Sequence, residues 1–193
     1  FGQNYPQIDL KVQVDSTRTI VTSMIRREID IAIVGGEISS ELQKKLTIQP
    51  FVCYQLRIII SNSHPLARKK VISKEDLYCL DFITLDYTST IKKFIDKILI
   101  QNGIKTEELK TILQLNSIEG IKTAVSLGLG AAFVSSSSLE KELKLDQIQI
   151  LEIENLNINR QLSIISNPES YKSKTFELFY KELIRLQKKS RKP

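Results

Sequence analysis

Ser63-His64-Pro65-Leu66-Ala67, then Ile72-Ser73-Lys74-Glu75-Asp76-Leu77, then Asp81-Phe82-Ile83-Thr84-Leu85 is the stretch whose reading decides the fold. The apolar run Gln55-Leu56-Arg57-Ile58-Ile59-Ile60-Ser61 enters it as a strand, and the turn at residues 62–65 closes that strand. Residues 73–76 have the look of a short capped helix, and Phe82 to Leu85 reads as the next strand. A Ser/Thr-rich helix start follows. Ile91, Phe94, Ile95, Ile98 and Leu99 then repeat at i, i+3, i+4, i+7, i+8, the mark of a helix buried on one side. Asn102-Gly103 is a plausible stop for it.

The same grammar extends outward. Toward the C-terminus, Ile112-Leu113-Gln114-Leu115 reads as a strand, and Asn116 and Glu119 have capping-box spacing ahead of Ile118, Ile121, Ala124 and Val125. Gly128 and Gly130 break that helix before the short strand Ala131-Ala132-Phe133-Val134. The serines at 135–138 then cap another helix. Residues 148–153 and 161–166 read as strands, and Phe176, Phe179, Tyr180 and Leu183 mark a long final helix. Toward the N-terminus, Ile8-Asp9-Leu10-Lys11-Val12-Gln13-Val14 alternates strictly and predicts a half-buried strand. Asp15-Ser16-Thr17 offers caps for a helix carrying Val21, Met24, Ile25 and Ile29. Ile29-Asp30-Ile31-Ala32-Ile33-Val34 suits a strand buried on both faces, ended by Gly35-Gly36. Alternating strands and helices define an α/β chain, with βαβ units expected at 8–34 and 82–134.

Composition narrows the function classes. The 193 residues are 41% hydrophobic and 26% charged, as in an ordinary globular protein, and no apolar run approaches the roughly 20 residues needed to span a bilayer. A membrane partner is therefore not expected. The chain opens Phe1-Gly2-Gln3 without an initiator Met, which reads as a fragment or processed product. Net charge is +6. That reads as a solvated basic surface able to attract anionic metabolites, with Lys188-Lys189-Ser190-Arg191-Lys192 as a solvated tail. Cys53 and Cys79, without CxxC spacing, read as reduced core residues. His64 is the lone histidine and precedes Pro65, so a structural turn role outweighs catalysis, and a His-based triad or metal site is disfavoured. No Walker loop, dinucleotide glycine fingerprint or G-x-S-x-G occurs, and no cofactor is implied.

Five short motifs in order carry a family resemblance. They are Phe1 with Tyr5-Pro6 and Leu10; Arg27-Glu28-Ile29-Asp30-Ile31-Ala32-Ile33; Ser63 to Ala67; Glu75-Asp76-Leu77 with Phe82-Ile83; and Gly128-Leu129-Gly130-Ala131-Ala132. Together they resemble the effector-binding domain of LysR-type transcriptional regulators over nearly the whole chain. Asn4-Tyr5-Pro6-Gln7, Asn116-Ser117-Ile118-Glu119-Gly120-Ile121-Lys122 and Val125-Ser126-Leu127-Gly128-Leu129-Gly130 are most similar to the Rubisco-operon and carbon-assimilation regulators of cyanobacteria and red-lineage plastids. The marked Ile, Lys and Asn usage suggests an AT-rich genome such as a plastid's.

The resemblance implies two Rossmann-like lobes joined by two crossover strands, the type 2 periplasmic-binding-protein-like fold. Lobe I would hold residues 1–71 and 151–193, lobe II residues 72–150, with the ligand in the cleft between them. It implies a homodimer or homotetramer, and DNA contact through a helix-turn-helix preceding Phe1, as would the first strand of lobe I. The location implied is the chloroplast (plastid stroma) if the source is algal, cytoplasmic if bacterial. The implied effector is a small anionic metabolite: a sugar phosphate, phosphoglycolate, 2-oxoglutarate or NADPH.

Ligands in open parallel sheets bind beyond the C-terminal strand ends, where helix N-termini present free N–H groups and favour anions. Small hydroxyl residues stand at two such points: Ser16 and Thr17 with Arg18, and Thr84 with Tyr87, Thr88, Ser89 and Thr90. Arg18 is the sharpest candidate, since its donor fork can grip a carboxylate or phosphate; the alternative is a solvated arginine. Gly35 and Gly36 allow close backbone approach or simply turn the chain. Asn116 caps a helix or meets ligand, and Ser135 reaches the cleft or caps a loop. Two rivals to the sensor remain: a stand-alone solute-binding protein of the same fold, and an α/β enzyme using Asp86 and Glu37.

Overall fold

A computed structural model describes residues 1–190. In chain order the elements are α1 (Thr17–Ile25), β1 (Ala32–Val34), α2 (Ser40–Gln43), β2 (Thr47–Ser61), β3 (Val71–Ile72), β4 (Phe82–Leu85), α3 (Thr90–Gln101), β5 (Thr111–Leu115), α4 (Ile118–Ser126), β6 (Ala132–Ser135), α5 (Glu140–Lys144), β7 (Ile148–Ile153), β8 (Ile158–Ser166) and α6 (Lys174–Ser190). They form two compact units, one of Phe1–Cys53 with Gln161–Pro193 and one of Tyr54–Arg160. The chain crosses between units inside β2 and inside β8. The sequence sets the lobe breaks at turns instead, and residues 54–71 and 151–160, assigned there to lobe I, cluster with the middle unit. A strand that runs unbroken through a boundary leaves no turn signal at it. Arg191, Lys192 and Pro193 of the basic tail lie outside the described residues.

In the first unit, β1 pairs antiparallel with β8, Ala32 opposite Ile165 and Val34 opposite Ser163. Ile20, Val21 and Met24 of α1 pack with Val34, Leu46 and Ile165. Phe51, Ile164 and Leu183 bring α6 into the same unit. Gln187 is buried and donates from Nε2 to the carbonyls of Pro50 (2.9 Å) and Phe51 (2.6 Å), satisfying strand groups that a leucine there would leave bare.

Two expectations fail here. Residues 8–14 form no strand, and Leu10, Val12 and Val14 are exposed, Val14 by 93%. Alternation supplies a face to bury, but a strand also needs a neighbour for its N–H and C=O groups, and no ladder includes these residues. The expected βαβ unit at 8–34 therefore reduces to α1 and β1. β1 itself spans three residues rather than six, and Ile33 is exposed instead of buried on both faces.

The middle unit carries the doubly wound pattern. β4 and β5 are parallel, Leu85 opposite Leu115. Phe82 bridges Ala131 in parallel, with Ile83 N donating to Ala131 O and Ala131 N to Asp81 O, both at 2.8 Å. β6 pairs antiparallel with β2, β2 with β7, and β7 in parallel with β3. The strand order is thus β5-β4-β6-β2-β7-β3. Alternation sends Leu56, Ile58, Ile60 and Phe82 to one core with Ile95 and Leu99 of α3. Ile59, Ile83, Ala132 and Val134 face a second core with Ile121, Ala124 and Val125 of α4. Burial on both faces explains the near-continuous apolar strands. Gly130 is required where β6 meets β4: a Cβ there would lie 2.4 Å from Asp81 O.

Candidate functional site

The parallel strands β4, β5 and β6 end at one edge of the middle unit, so the residues that follow them share that edge. Helix starts and hydroxyls collect there. After β4, the Asp86 carboxylate accepts from Thr88 N at 2.7 Å and from the Thr88 hydroxyl. The Thr88 hydroxyl bond first, then its backbone N–H, hold that carboxyl below its ordinary range. Ser89 is the N-cap of α3, its Oγ accepting from Ile91 N (3.2 Å) and Lys92 N (3.5 Å). Tyr87 is exposed, and the Thr84 Oγ1 is buried without a hydrogen-bond partner among the described residues. Thr84 lines a cavity of about 40 Å³ with Phe82, Ile95, Leu99 and Phe133.

After β5, Asn116 is exposed and the cap of α4 is Ser117, whose Oγ accepts from Gly120 N at 3.2 Å. The expected Asn116–Glu119 capping box is thereby corrected: one residue later the hydroxyl reaches N3, and Glu119 bonds Lys122 at 2.8 Å instead. After β6, Ser135 Oγ meets Ser137 Oγ at 2.7 Å, and Ser138 Oγ donates to Ser135 O at 2.8 Å. These serines wind a short 3-10 turn, Ser136–Ser138, and α5 begins after Leu139 with no side-chain cap.

Two charged side chains that the sequence did not single out lie in this unit. Lys122 is 5% exposed; its Nζ bonds Glu119, Glu142 Oε1 (3.0 Å) and Ser138 O (3.0 Å), tying α4 to the serine turn. Burial pushes the Lys122 ammonium down, but its bonds to the two glutamates outweigh that and hold it above its ordinary value. Burial likewise pushes Glu142 up, and Lys122 outweighs it in the other direction. Arg160 is also 5% exposed and bonds Tyr54 Oη at 2.6 Å and Thr90 Oγ1 at 3.3 Å. The burial of Arg160 leaves no local sequence signal, since Thr90 and Tyr54 lie 70 and 106 residues away.

In the first unit, Ser16 is the N-cap of α1, its Oγ accepting from Thr19 N at 3.2 Å. Thr17 is buried, and its Oγ1 accepts from Gly36 N at 3.2 Å, which brings the Gly35-Gly36 turn against the helix start. A Cβ at Gly36 would lie 2.5 Å from that oxygen, so glycine is needed for the approach. Arg18 is exposed at the first turn of the helix. His64 does have a structural role: its Nδ1 accepts from Leu66 N at 3.1 Å ahead of Pro65. Cys53 and Cys79 are free, but both are exposed rather than core. Cys53 stands where β2 leaves one unit, and Cys79 ends a 3-10 turn, so apolar sequence neighbours do not bury them. No cluster of three metal-ligating side chains occurs among the described residues, and no helix there is long and apolar enough to cross a membrane.

A two-unit α/β chain with crossover inside two strands and helix starts gathered at parallel strand ends is a type 2 periplasmic-binding-protein-like domain. Residues 1–187 match the LysR substrate binding domain, and the chain belongs to that family. A "Probable RuBisCO transcriptional regulator" of Phaeodactylum tricornutum is 63% identical over 186 residues, covering 96% of this chain and 61% of the relative. One of the same description from Synechocystis is 47% identical over 184 residues, covering 95% and 53%. The chain thus spans about three fifths of the length of the first of these relatives and about half of the second. Among solved structures, the Synechocystis CcmR regulatory domain in complex with 2-PG superposes with a TM-score of 0.82 at 26% identity, covering 97% of this chain and 87% of that one.

Proposed function

We propose that this domain is the metabolite-sensing part of a DNA-binding transcriptional regulator that controls Rubisco and carbon-fixation genes. The identity of 63% to a Phaeodactylum protein of that description carries the reading. The reading is of a sensor and not of an enzyme: Asp86, one half of the Asp86–Glu37 pair that an enzyme reading would use, orders the turn before α3 through its bonds from Thr88. Its effector is a small anion of the phosphoglycolate, sugar phosphate, 2-oxoglutarate or NADPH class. The 2-PG in the CcmR complex supports a phosphorylated acid foremost.

The contacts proposed for the effector come from helix starts and strand ends. Ser16, Thr17, Arg18, Gly35 and Gly36 contribute from the first unit. Thr84, Tyr87, Thr88, Ser89, Thr90, Asn116 and Ser135 contribute from the second. Hydroxyls and N–H groups at such termini suit an anion. Binding shifts the population of domain conformations and, through a homodimer or homotetramer, the geometry of helix-turn-helix modules on DNA. The location that goes with this reading is the plastid stroma, and the diatom source of two relatives supports it.

A thermal-shift panel on the full-length regulator tests this reading. Phosphoglycolate, sugar phosphates, 2-oxoglutarate and NADPH are added singly, and promoter binding is read in parallel. A ligand at 100 times its Kd adds about 2.7 kcal/mol of stability. Stabilisation by one anion with a change in promoter affinity is the expected result. No shift with any of them rules out the carbon-metabolite sensor.

A further inference from the structure

We propose that Lys122 is a positioning residue for effector binding: without touching the effector, it holds the serine turn after β6 in the place from which Ser135 makes its contact. This rests on the sensor reading above and on the place of Ser135 among the proposed contacts. Lys122 lies on α4 and is 5% exposed, and an ammonium has three donors. Its acceptors are Glu119 at 2.8 Å on its own helix, Glu142 Oε1 at 3.0 Å on α5, and Ser138 O at 3.0 Å in the turn. Every donor is thus matched, which leaves none for a ligand and fixes the ammonium in one orientation. A buried lysine–glutamate pair adds little stability over packed apolar side chains, and its best-attested use is to specify one geometry.

The turn depends on this tether because its own hydroxyls are spent on itself. Ser138 Oγ donates to Ser135 O at 2.8 Å, and Ser135 Oγ meets Ser137 Oγ at 2.7 Å. These bonds wind the turn but do not seat it against its neighbours, and α5 begins after Leu139 with no side-chain cap. Leu139 seats the turn on the apolar side, fully buried with Ile121 and Val125 of α4. Lys122 Nζ seats it on the polar side. Apolar packing is non-directional, whereas a bond to a backbone carbonyl sets a distance and an angle. α4 itself begins after β5, where Asn116 stands and Ser117 caps the helix. Lys122 therefore couples the segments that follow β5 and β6, and their candidate side chains, Asn116 and Ser135, stand on either side of β4.

The test is calorimetric titration of the full-length protein with phosphoglycolate, with thermal unfolding of each variant alongside. Lys122→Met with Glu142→Leu removes the tether without stranding a buried charge. Ser135→Ala is made alone and on top of that pair. The Lys122→Met, Glu142→Leu protein is expected to melt near wild type and to bind phosphoglycolate about 10-fold more weakly, the scale of one hydrogen bond to a charged group. Ser135→Ala is expected to weaken binding by a similar factor alone, but by less than about 2-fold on top of the pair, because both changes remove the same contact. Wild-type affinity at recovered stability overturns the proposal, and so does a weakening fully additive with Ser135→Ala. A Ser135→Ala protein that binds as wild type removes that contact, and the tether's role with it. Should Lys122→Met with Glu142→Leu fail to fold, Lys122→Gln with Glu142→Gln decides. It leaves no buried charge, and glutamine is one bond shorter than lysine and falls short of Ser138 O, so the same loss is expected and unchanged binding overturns the proposal. Failure of both pairs to fold would assign Lys122 to stability alone and overturns it too. A wild type that binds no anion of the wider panel removes the sensor reading itself.

Discussion

Lys122 Nζ lies 3.0 Å from Glu142 Oε1, with 6% and 9% of their side chains exposed. Such a pair is held rather than needed: its attraction offsets desolvation only while both partners remain. Removing one leaves the other charged and buried. Lys122→Met is therefore expected to cost about 3–5 kcal/mol in urea unfolding, while Lys122→Met with Glu142→Leu recovers most of the loss.

The same pair sets a pH dependence. Glu142 is held below its ordinary value, so its contribution is present above about pH 4.5 and lost as pH falls through the lowered folded value. Lys122 is held above its ordinary value, so its contribution is present below about pH 10.5 and lost as pH rises through the raised one. Between those limits the pair adds a flat contribution. In Lys122→Met with Glu142→Leu, stability is expected to be less pH-dependent than wild type below pH 4.5; an unchanged acid limb would show that the pair contributes nothing there.

Gly130 offers a prediction about how β6 is seated beside β4, at the strand starts opposite the edge on which the candidate residues stand. Its missing side chain lets Ala131 and Asp81 exchange the bond that seats β6 beside β4. Gly130→Ala would put a Cβ 2.4 Å from a backbone oxygen that cannot rotate away. A loss of about 3 kcal/mol is expected from overpacking alone, read as a lowered urea midpoint. Gly128→Ala, where only Ser63 Oγ lies near, is expected to cost about 1–2 kcal/mol, through its positive φ.

The middle unit was largely legible from sequence because its elements are specified locally. Phe82 to Leu85, Ile112 to Leu115 and the helix through Ile91 and Leu99 fall where period and caps put them. What failed depends on neighbours distant in sequence. The alternation at 8–14 has no adjoining strand to pair with, and Cys53 owes its exposure to a crossing point that no residue pattern marks. Among candidate residues, the helix caps Ser16 and Ser89 were readable, since an N-cap is a one-turn rule. The burial of Arg160 was not: Ile158-Asn159-Arg160-Gln161 reads as an ordinary alternating strand, and only the tertiary fold places that side chain under Phe94 and beside Thr90.

Thr84 tests how far burial and ligand contact diverge. Its Oγ1 is buried without a partner among the described residues, which costs about 1–3 kcal/mol for a hydroxyl. Thr84→Val keeps the shape and removes the orphan, so a gain of about 1 kcal/mol is expected in the ligand-free protein. The effector contact proposed for Thr84 gives the opposite sign for affinity, which should fall. A variant that is less stable in the absence of ligand would show that the hydroxyl has a partner of its own.

Asn116 and Ser117 separate capping from recognition at adjacent positions. Ser117 accepts from Gly120 N and caps α4, so Ser117→Ala is expected to cost about 1 kcal/mol. Asn116 is exposed and makes no cap, so Asn116→Ala is expected to change stability by less than about 0.5 kcal/mol. Both follow β5, whose last residue, Leu115, lies opposite Leu85 at the end of β4. Thermal unfolding and effector titration of the two variants distinguish their roles. Weaker binding at unchanged stability for Asn116→Ala would place that amide against the effector. A destabilised Asn116→Ala would return it to the role of a cap and remove it from the binding set.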